Sequence, residues 1–99
     1  MKRNYLILYT IKRLKDEEEA EANRRRDEFR DICSKVSIAL TGQESAFYGY
    51  LNQSAQEIIA QLKGEAKRRG FPLREQDYLF VTEINMENFG SDPQLEIPH

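Results

Sequence analysis

The sequence is poor in the residues that build cross-links, metal centres and catalytic triads. Its 99 residues include one cysteine, one histidine and no tryptophan. The lone Cys33 excludes a disulfide within the chain and is typical of a reducing compartment, so we expect a cytoplasmic protein. Because the one histidine is the last residue, no Cys/His cluster has metal-ligand spacing and no serine triad can be assembled. We therefore assign no catalytic residue, no metal site and no cofactor.

Long apolar runs and a surplus of one charge are also absent. The longest apolar run, YLILY, is far too short to cross a bilayer, and the first residues do not have the pattern of a secretory signal. We therefore expect no contact with a membrane. Fifteen basic and 17 acidic residues give a formal net charge of −2. Overall charge does not steer such a protein toward nucleic acid, so only a local basic patch would attract one.

Hydrophobic periodicity predicts four strands and two helices. The strands are indicated at 4–11, 35–41, 46–51 and 77–84, although the first helix could instead continue through 35–41. That helix runs from about 16 to 34, and its inward stripe is Ala22, Phe29, Ile32 and Cys33, with Leu14 entering the core just before it. The second helix begins at SAQE, where Ser54 and Glu57 form a capping box, and it ends at Gly70.

This order of elements predicts a ferredoxin-like βαββαβ sandwich of the α+β class. Its four-stranded antiparallel sheet has both helices on one face. The first and third strands are apolar on both sides, which fits the two central positions of such a sheet. We assign residues 1–88 to this domain and 89–99 to a C-terminal tail, in which QLEI at 94–97 could add a short edge strand.

The third strand, AFYGYL, puts three aromatic residues into four consecutive positions. We expect the helices to cover Leu6, Leu8, Val36, Ile38, Leu40, Phe47, Leu51, Leu79 and Val81. The other sheet face then carries Ile7, Ile11 and the residues that we assign to an interface: Tyr5, Tyr9, Tyr48, Tyr50, Tyr78 and Phe80. Large apolar patches are rare on monomers, so we expect a homodimer through this face. The alternatives are that RNA or DNA bases, or a different protein, bind this face.

Basic residues cluster at 12–15, 24–26 and 67–69. Acidic residues interleave with most of them, which favours ion pairing over phosphate binding. The segment KRRGFPLRE has the fewest acidic neighbours. Phosphate contacts dominate non-specific affinity for nucleic acids. We therefore assign Lys67, Arg68, Arg69 and Arg74 as the candidate nucleic-acid contacts.

The order of elements, together with YLILYTI and RRRDEFRDIC, resembles the small CRISPR-associated spacer-acquisition nucleases and their relatives, the GhoS-type and VapD-type ribonucleases. The resemblance covers roughly residues 4–97. It implies a dimer that pairs through its sheet faces and acts on nucleic acid in a toxin–antitoxin, phage or defence setting. The nucleases carry an aspartate, a proposed metal ligand, after the tyrosine of their first strand. Thr10 follows Tyr9 here, and a hydroxyl does not replace a carboxylate on Mg²⁺. Catalysis is accordingly not implied.

A second resemblance is to the RNA-recognition motif, which has the same strand order. YGYL at 48–51 is similar to the centre of its third-strand pattern, whereas Ala46, Phe47 and Gln53 depart from the flanks. Tyr9 would supply the first-strand aromatic. This resemblance implies a single-stranded RNA stacked on the sheet. A protein-interaction module, an inhibitor or adaptor that docks through the same aromatic face, is the alternative from another class.

Overall fold

The computed structural model describes residues 1–40 and 45–84. Their elements are β1 (Arg3–Thr10), α1 (Glu19–Ser34), β2 (Ile38–Ala39), β3 (Ala46–Leu51), α2 (Ala55–Arg68) and β4 (Tyr78–Glu83). The strands form one antiparallel sheet in the order β2-β3-β1-β4. This arrangement confirms the predicted ferredoxin-like α+β fold, with β1 and β3 in the centre. The domain boundary at residue 88 and the candidate strand at 94–97 lie outside the described residues.

Local hydrogen bonds explain where the helices begin and end. α2 begins with the predicted capping box: the Glu57 N–H donates to Ser54 Oγ at 3.1 Å, and the Ser54 N–H donates to Glu57 Oε1 at 3.0 Å. α1 begins three residues later than predicted, because the Leu14 N–H donates to Glu17 Oε1 at 3.0 Å and residues 14–17 form a turn instead. Neither described helix is long and apolar enough to span a bilayer.

The second strand is much shorter than the predicted range 35–41. The Lys35 N–H donates to the Ile32 carbonyl at 3.3 Å, and the Val36 N–H donates to the Cys33 carbonyl at 3.2 Å. These bonds continue the last turn of α1, so only Ile38 and Ala39 remain to pair with β3. The helix ends at Ser34, as predicted, so the alternative of a helix that continues through 35–41 is wrong.

The core lies between one face of the sheet and both helices. The predicted stripe of α1 is buried there, and α2 adds Ile58, Leu62 and Ala66. Burial raises the pKa of the Cys33 thiol to about 12, as expected for a structural cysteine rather than a nucleophile. Leu14, which was predicted to enter the core, is 38% exposed because the turn at 14–17 keeps it at the surface.

Tyr5 and Tyr9, predicted for the interface, lie in this core, as do Ile7 and Ile11. The prediction was wrong about which side of β1 the helices cover. Ile7 lies opposite both Phe47 and Val81, so the odd-numbered residues of β1 share the helix-covered face. The Tyr5 ring lies opposite Gly49, where no side chain competes for the space, and its hydroxyl donates to the Gln53 carbonyl at 2.5 Å. The Tyr9 ring packs edge-on against Phe29, with 4.9 Å between the ring centroids.

The even-numbered residues of β1 face outward for the same reason. Leu6 and Ile38 lie opposite Tyr48 on its two neighbouring strands, so both point away from the helices, contrary to prediction. Leu8 lies opposite Phe80 and also faces outward. The inward Phe47 and Val81, in contrast, are buried as predicted.

Candidate functional site

The sheet face turned away from the helices carries an apolar surface, which we call the open face. It consists of Leu6, Leu8, Ile38, Tyr48, Tyr50, Tyr78 and Phe80. The rings of Tyr50, Tyr78 and Phe80 are prominent, since these residues are 58%, 62% and 55% exposed. Four of the six residues predicted for the interface therefore lie on one surface, with the leucines of β1 between the aromatics of β3 and those of β4.

Two lysines flank the open face at opposite corners. Lys2 Nζ lies 5.6 Å from the centroid of the Tyr50 ring, and Lys12 Nζ lies 5.2 Å from that of Tyr78. Tyr50 pairs with Asn4 near the start of β1, whereas Tyr78 pairs with Thr10 at its end. Six residues at about 3.3 Å each place these corners roughly 20 Å apart along the strand. Both lysines are within the range of a cation–π contact.

The charges that the described residues place beside the open face are those of Lys2 and Lys12. Among the described strand residues, no outward position holds a carboxylate; Glu83 lies opposite Tyr5, on the other side of the sheet, and pairs with Arg3. An acidic protein thus presents a locally cationic aromatic surface.

Tyr48 keeps its proton on this face. Burial, and then the neighbouring Tyr50, raise the pKa of its hydroxyl. The hydroxyl donates to Asn4 Oδ1 on the adjacent strand. This bond fixes the ring beside Leu6 and adds no negative charge to the surface.

The four cations predicted to contact nucleic acid do not gather on the open face. Arg68 pairs with Glu65 one turn back along α2. Arg69 Nη1 lies 3.1 Å from Glu28 Oε1 and 2.9 Å from Asp31 Oδ2, so it ties α2 to α1. Arg74 and the exposed Lys67 line a groove of about 540 Å³ that reaches Tyr78 at the edge of the sheet. Arg74 Nη1 also lies 3.4 Å from Glu17 Oε2, so of these four cations only Lys67 forms no ion pair with another described residue.

The consecutive arginines 24–26 have three different roles. The Arg24 guanidinium lies 5.3 Å from the centroid of the Phe71 ring, and Arg26 Nε donates to the Ile11 carbonyl at 3.1 Å. Arg25, which sequence reasoning missed, is 4% exposed. Its spacing could have indicated burial, because Arg25 falls three residues after Ala22 and four before Phe29, on the inward stripe of α1.

Arg25 is the centre of a buried ion-pair network. Its Nη2 lies 2.9 Å from Glu17 Oε1, and its Nη1 lies 3.1 Å from Asp77 Oδ2. Nη2 also donates to the Lys12 carbonyl at 2.8 Å. Asp77 accepts the Lys12 N–H at 2.8 Å and the Arg74 N–H at 2.9 Å. The network therefore fixes the end of β1 against the start of β4, which positions Lys12 and Tyr78 on the open face.

Acid should weaken this network by protonating Glu17. Hydrogen bonds from Arg25 and then from the Leu14 N–H lower the pKa of Glu17 from 4.5 to about 2. Its folded pKa lies below the unfolded one, so its stabilisation is present above about pH 4.5 and is lost as the pH falls toward 2. Urea unfolding across this range should show a shallower pH dependence for Glu17→Gln than for the unmodified protein. An equal pH dependence of the unfolding free energy in the two proteins would contradict the lowered pKa of Glu17.

No protein-family model and no curated protein matches this chain. The resemblances to the spacer-acquisition nucleases and to the RNA-recognition motif thus stay predictions. Thr10, the position at which those nucleases carry an aspartate, faces outward opposite Tyr78. Within residues 1–40 and 45–84, the structure brings no three His, Cys, Asp or Glu side chains together as metal ligands.

Proposed function

We propose that the open face binds single-stranded nucleic acid by stacking bases on its aromatic rings. One observation carries this proposal: the exposed rings of Tyr50, Tyr78 and Phe80 share a surface that Lys2 and Lys12 flank and on which no described strand residue places a carboxylate. Stacking a base on an aromatic side chain is worth about 1–3 kcal/mol, whatever the base. Phosphates that follow the bases would lie within reach of Lys2 and Lys12 at the two corners.

The geometry favours a single strand over a duplex. Bases can stack on protein rings only when they are not stacked on one another, and a flat sheet does not enter the groove of a duplex. Tyr9 is buried, so the first-strand aromatic that the RNA-recognition motif would require is not available. Stacking would instead run diagonally from Tyr50 on β3 to Phe80 and Tyr78 on β4.

A homodimer through the open face is the second candidate. Its support is the exposure of aliphatic as well as aromatic residues, with Ile38 at 75% and Leu8 at 37%. Such a dimer would bury the lysines of two copies against a surface whose described strand positions offer no carboxylate. Uncompensated buried charge is costly. The charge pattern therefore favours an anionic ligand over a second copy.

Fluorescence anisotropy with labelled single strands of RNA and DNA, and with a matched duplex, tests the proposal. We expect the single strands to bind more tightly than the duplex. Two or three contacted phosphates should give a slope of log K against log salt of about −1.4 to −2. Absence of binding at the lowest salt would overturn the proposal, and so would equal affinity for the duplex. Sedimentation of the same samples reports a dimer, which supports the second candidate if no strand binds.

A further inference from the structure

A second polar groove opens at the end of the sheet where β1 finishes and β3 begins. It has a volume of about 620 Å³. One wall is formed by the sheet, through Thr10, Ile11 and Ser45, and the other by α1, through Asn23, Arg26 and Arg30. None of these residues belongs to the open face or to the ion-pair network around Arg25.

The arginines of this groove are arranged to receive an anion. Arg26 Nε donates to the Ile11 carbonyl at 3.1 Å, and its Nη1 donates to Asn23 Oδ1 at 2.8 Å, so the half-buried guanidinium is held in place. Its Nη2 has no acceptor among the described residues. Arg30 lies one helical turn further along, exposed and outside the ion pairs that the described residues form. Asp27 is the one acidic residue of the described lining, and it pairs with neither arginine.

Thr10 connects the groove to the open face. It lines the groove and also faces outward opposite Tyr78, two residues before Lys12. A strand that leaves the open face at the Tyr78 corner can therefore cross Thr10 and pass along α1. Arginine forks bind phosphate oxygens through charge-assisted, often bidentate hydrogen bonds.

We propose that this groove binds a phosphodiester group of the same nucleic acid strand, with Arg26 and Arg30 as the donors. The inference rests on the proposed function of the open face. It extends the contact from stacked bases to a defined backbone site, and it predicts that long single strands bind more tightly than short ones.

The test compares Arg30→Gln with Lys63→Gln. Arg30 is exposed, so its substitution leaves the fold intact, whereas Arg26 also holds the end of β1. Lys63→Gln removes the same charge from the other groove beside Tyr78. Each protein is titrated with a short oligouridylate of about four nucleotides, enough for the open face, and with one of about twelve. Arg30→Gln should weaken binding of the longer strand about tenfold and reduce its salt slope by about 0.7, with no change for the shorter one.

The outcomes separate the two proposals. If both lengths bind and Arg30→Gln changes neither, the groove assignment is wrong and the open-face proposal stands. A loss for Lys63→Gln in place of Arg30→Gln would also overturn the groove, because the strand would then leave on the other side of Tyr78. If neither length binds to the unmodified protein, the proposed function fails and the groove assignment fails with it.

Discussion

Replacing Arg25 with methionine is expected to lower the free energy of unfolding by about 3–5 kcal/mol. The substitution keeps an unbranched apolar stem but removes the cation that neutralises Glu17 and Asp77, whose side chains are 6% and 0% exposed. It also leaves the Lys12 carbonyl without its donor. Urea unfolding followed by circular dichroism measures the loss. Arg30→Met, an exposed position on the same helix, should change stability by less than about 0.5 kcal/mol.

A neutralised variant distinguishes unpaired charge from lost packing. Combining Arg25→Met with Glu17→Gln and Asp77→Asn removes the carboxylates that have lost their cation. The triple variant should therefore recover part of the stability that Arg25→Met loses. If the triple variant is instead less stable by the sum of its parts, the guanidinium contributes mainly through packing. Equal stability of Arg25→Met and Arg30→Met would show that the network does not hold the end of β1 against the start of β4.

The double variant Tyr50→Ala, Phe80→Ala is expected to weaken binding of a single strand roughly 30-fold or more. Each ring that stacks on a base is worth about 1–3 kcal/mol, and the two rings lie on different strands, so their losses should nearly add. Both residues are more than half exposed, so the fold should tolerate the change. Anisotropy titrations at fixed salt give the affinity of each protein.

The matched control for this variant is Phe71→Ala. Phe71 is a partly exposed aromatic residue that contacts Arg24 on the helix side, away from the open face. Its loss should leave the affinity unchanged. An equal loss in the control and the double variant would place the nucleic acid elsewhere. A double variant that binds as well as the unmodified protein, but sediments as a monomer where the unmodified protein is a dimer, would support the homodimer.

The fold could be predicted because its signals are local. The capping box of Ser54 and Glu57 marks the start of α2, and the spacing of Ala22, Phe29 and Ile32 marks the buried side of α1. Each of these depends on residues within a few positions in the chain. The order of the elements then leaves few topologies, and the structure confirms the one that was expected.

The faces of β1 could not be predicted in the same way. Alternation separates Tyr5, Ile7 and Tyr9 from Leu6 and Leu8, but both sets are apolar, so the pattern does not say which set the helices cover. The answer depends on the pairing of Ile7 with Phe47 and Val81, which are about 40 and 74 residues distant. Arg25 was missed for another reason: its partner Asp77 is contributed by a distant loop, and a charged run is typical of solvent-exposed helix faces.

The alternating side chains of β1 limit which sequence changes the sheet can accept. The leucines on the open face and the tyrosines beneath the helices alternate along the backbone of β1, so the two sets cannot move independently. A one-residue slip in the pairing register of β1 would exchange the two sets and expose Tyr5 and Tyr9 to water. Substitution in place changes the open face without moving the buried set. Such substitutions should disturb the interior least on the edge strands, β2 and β4.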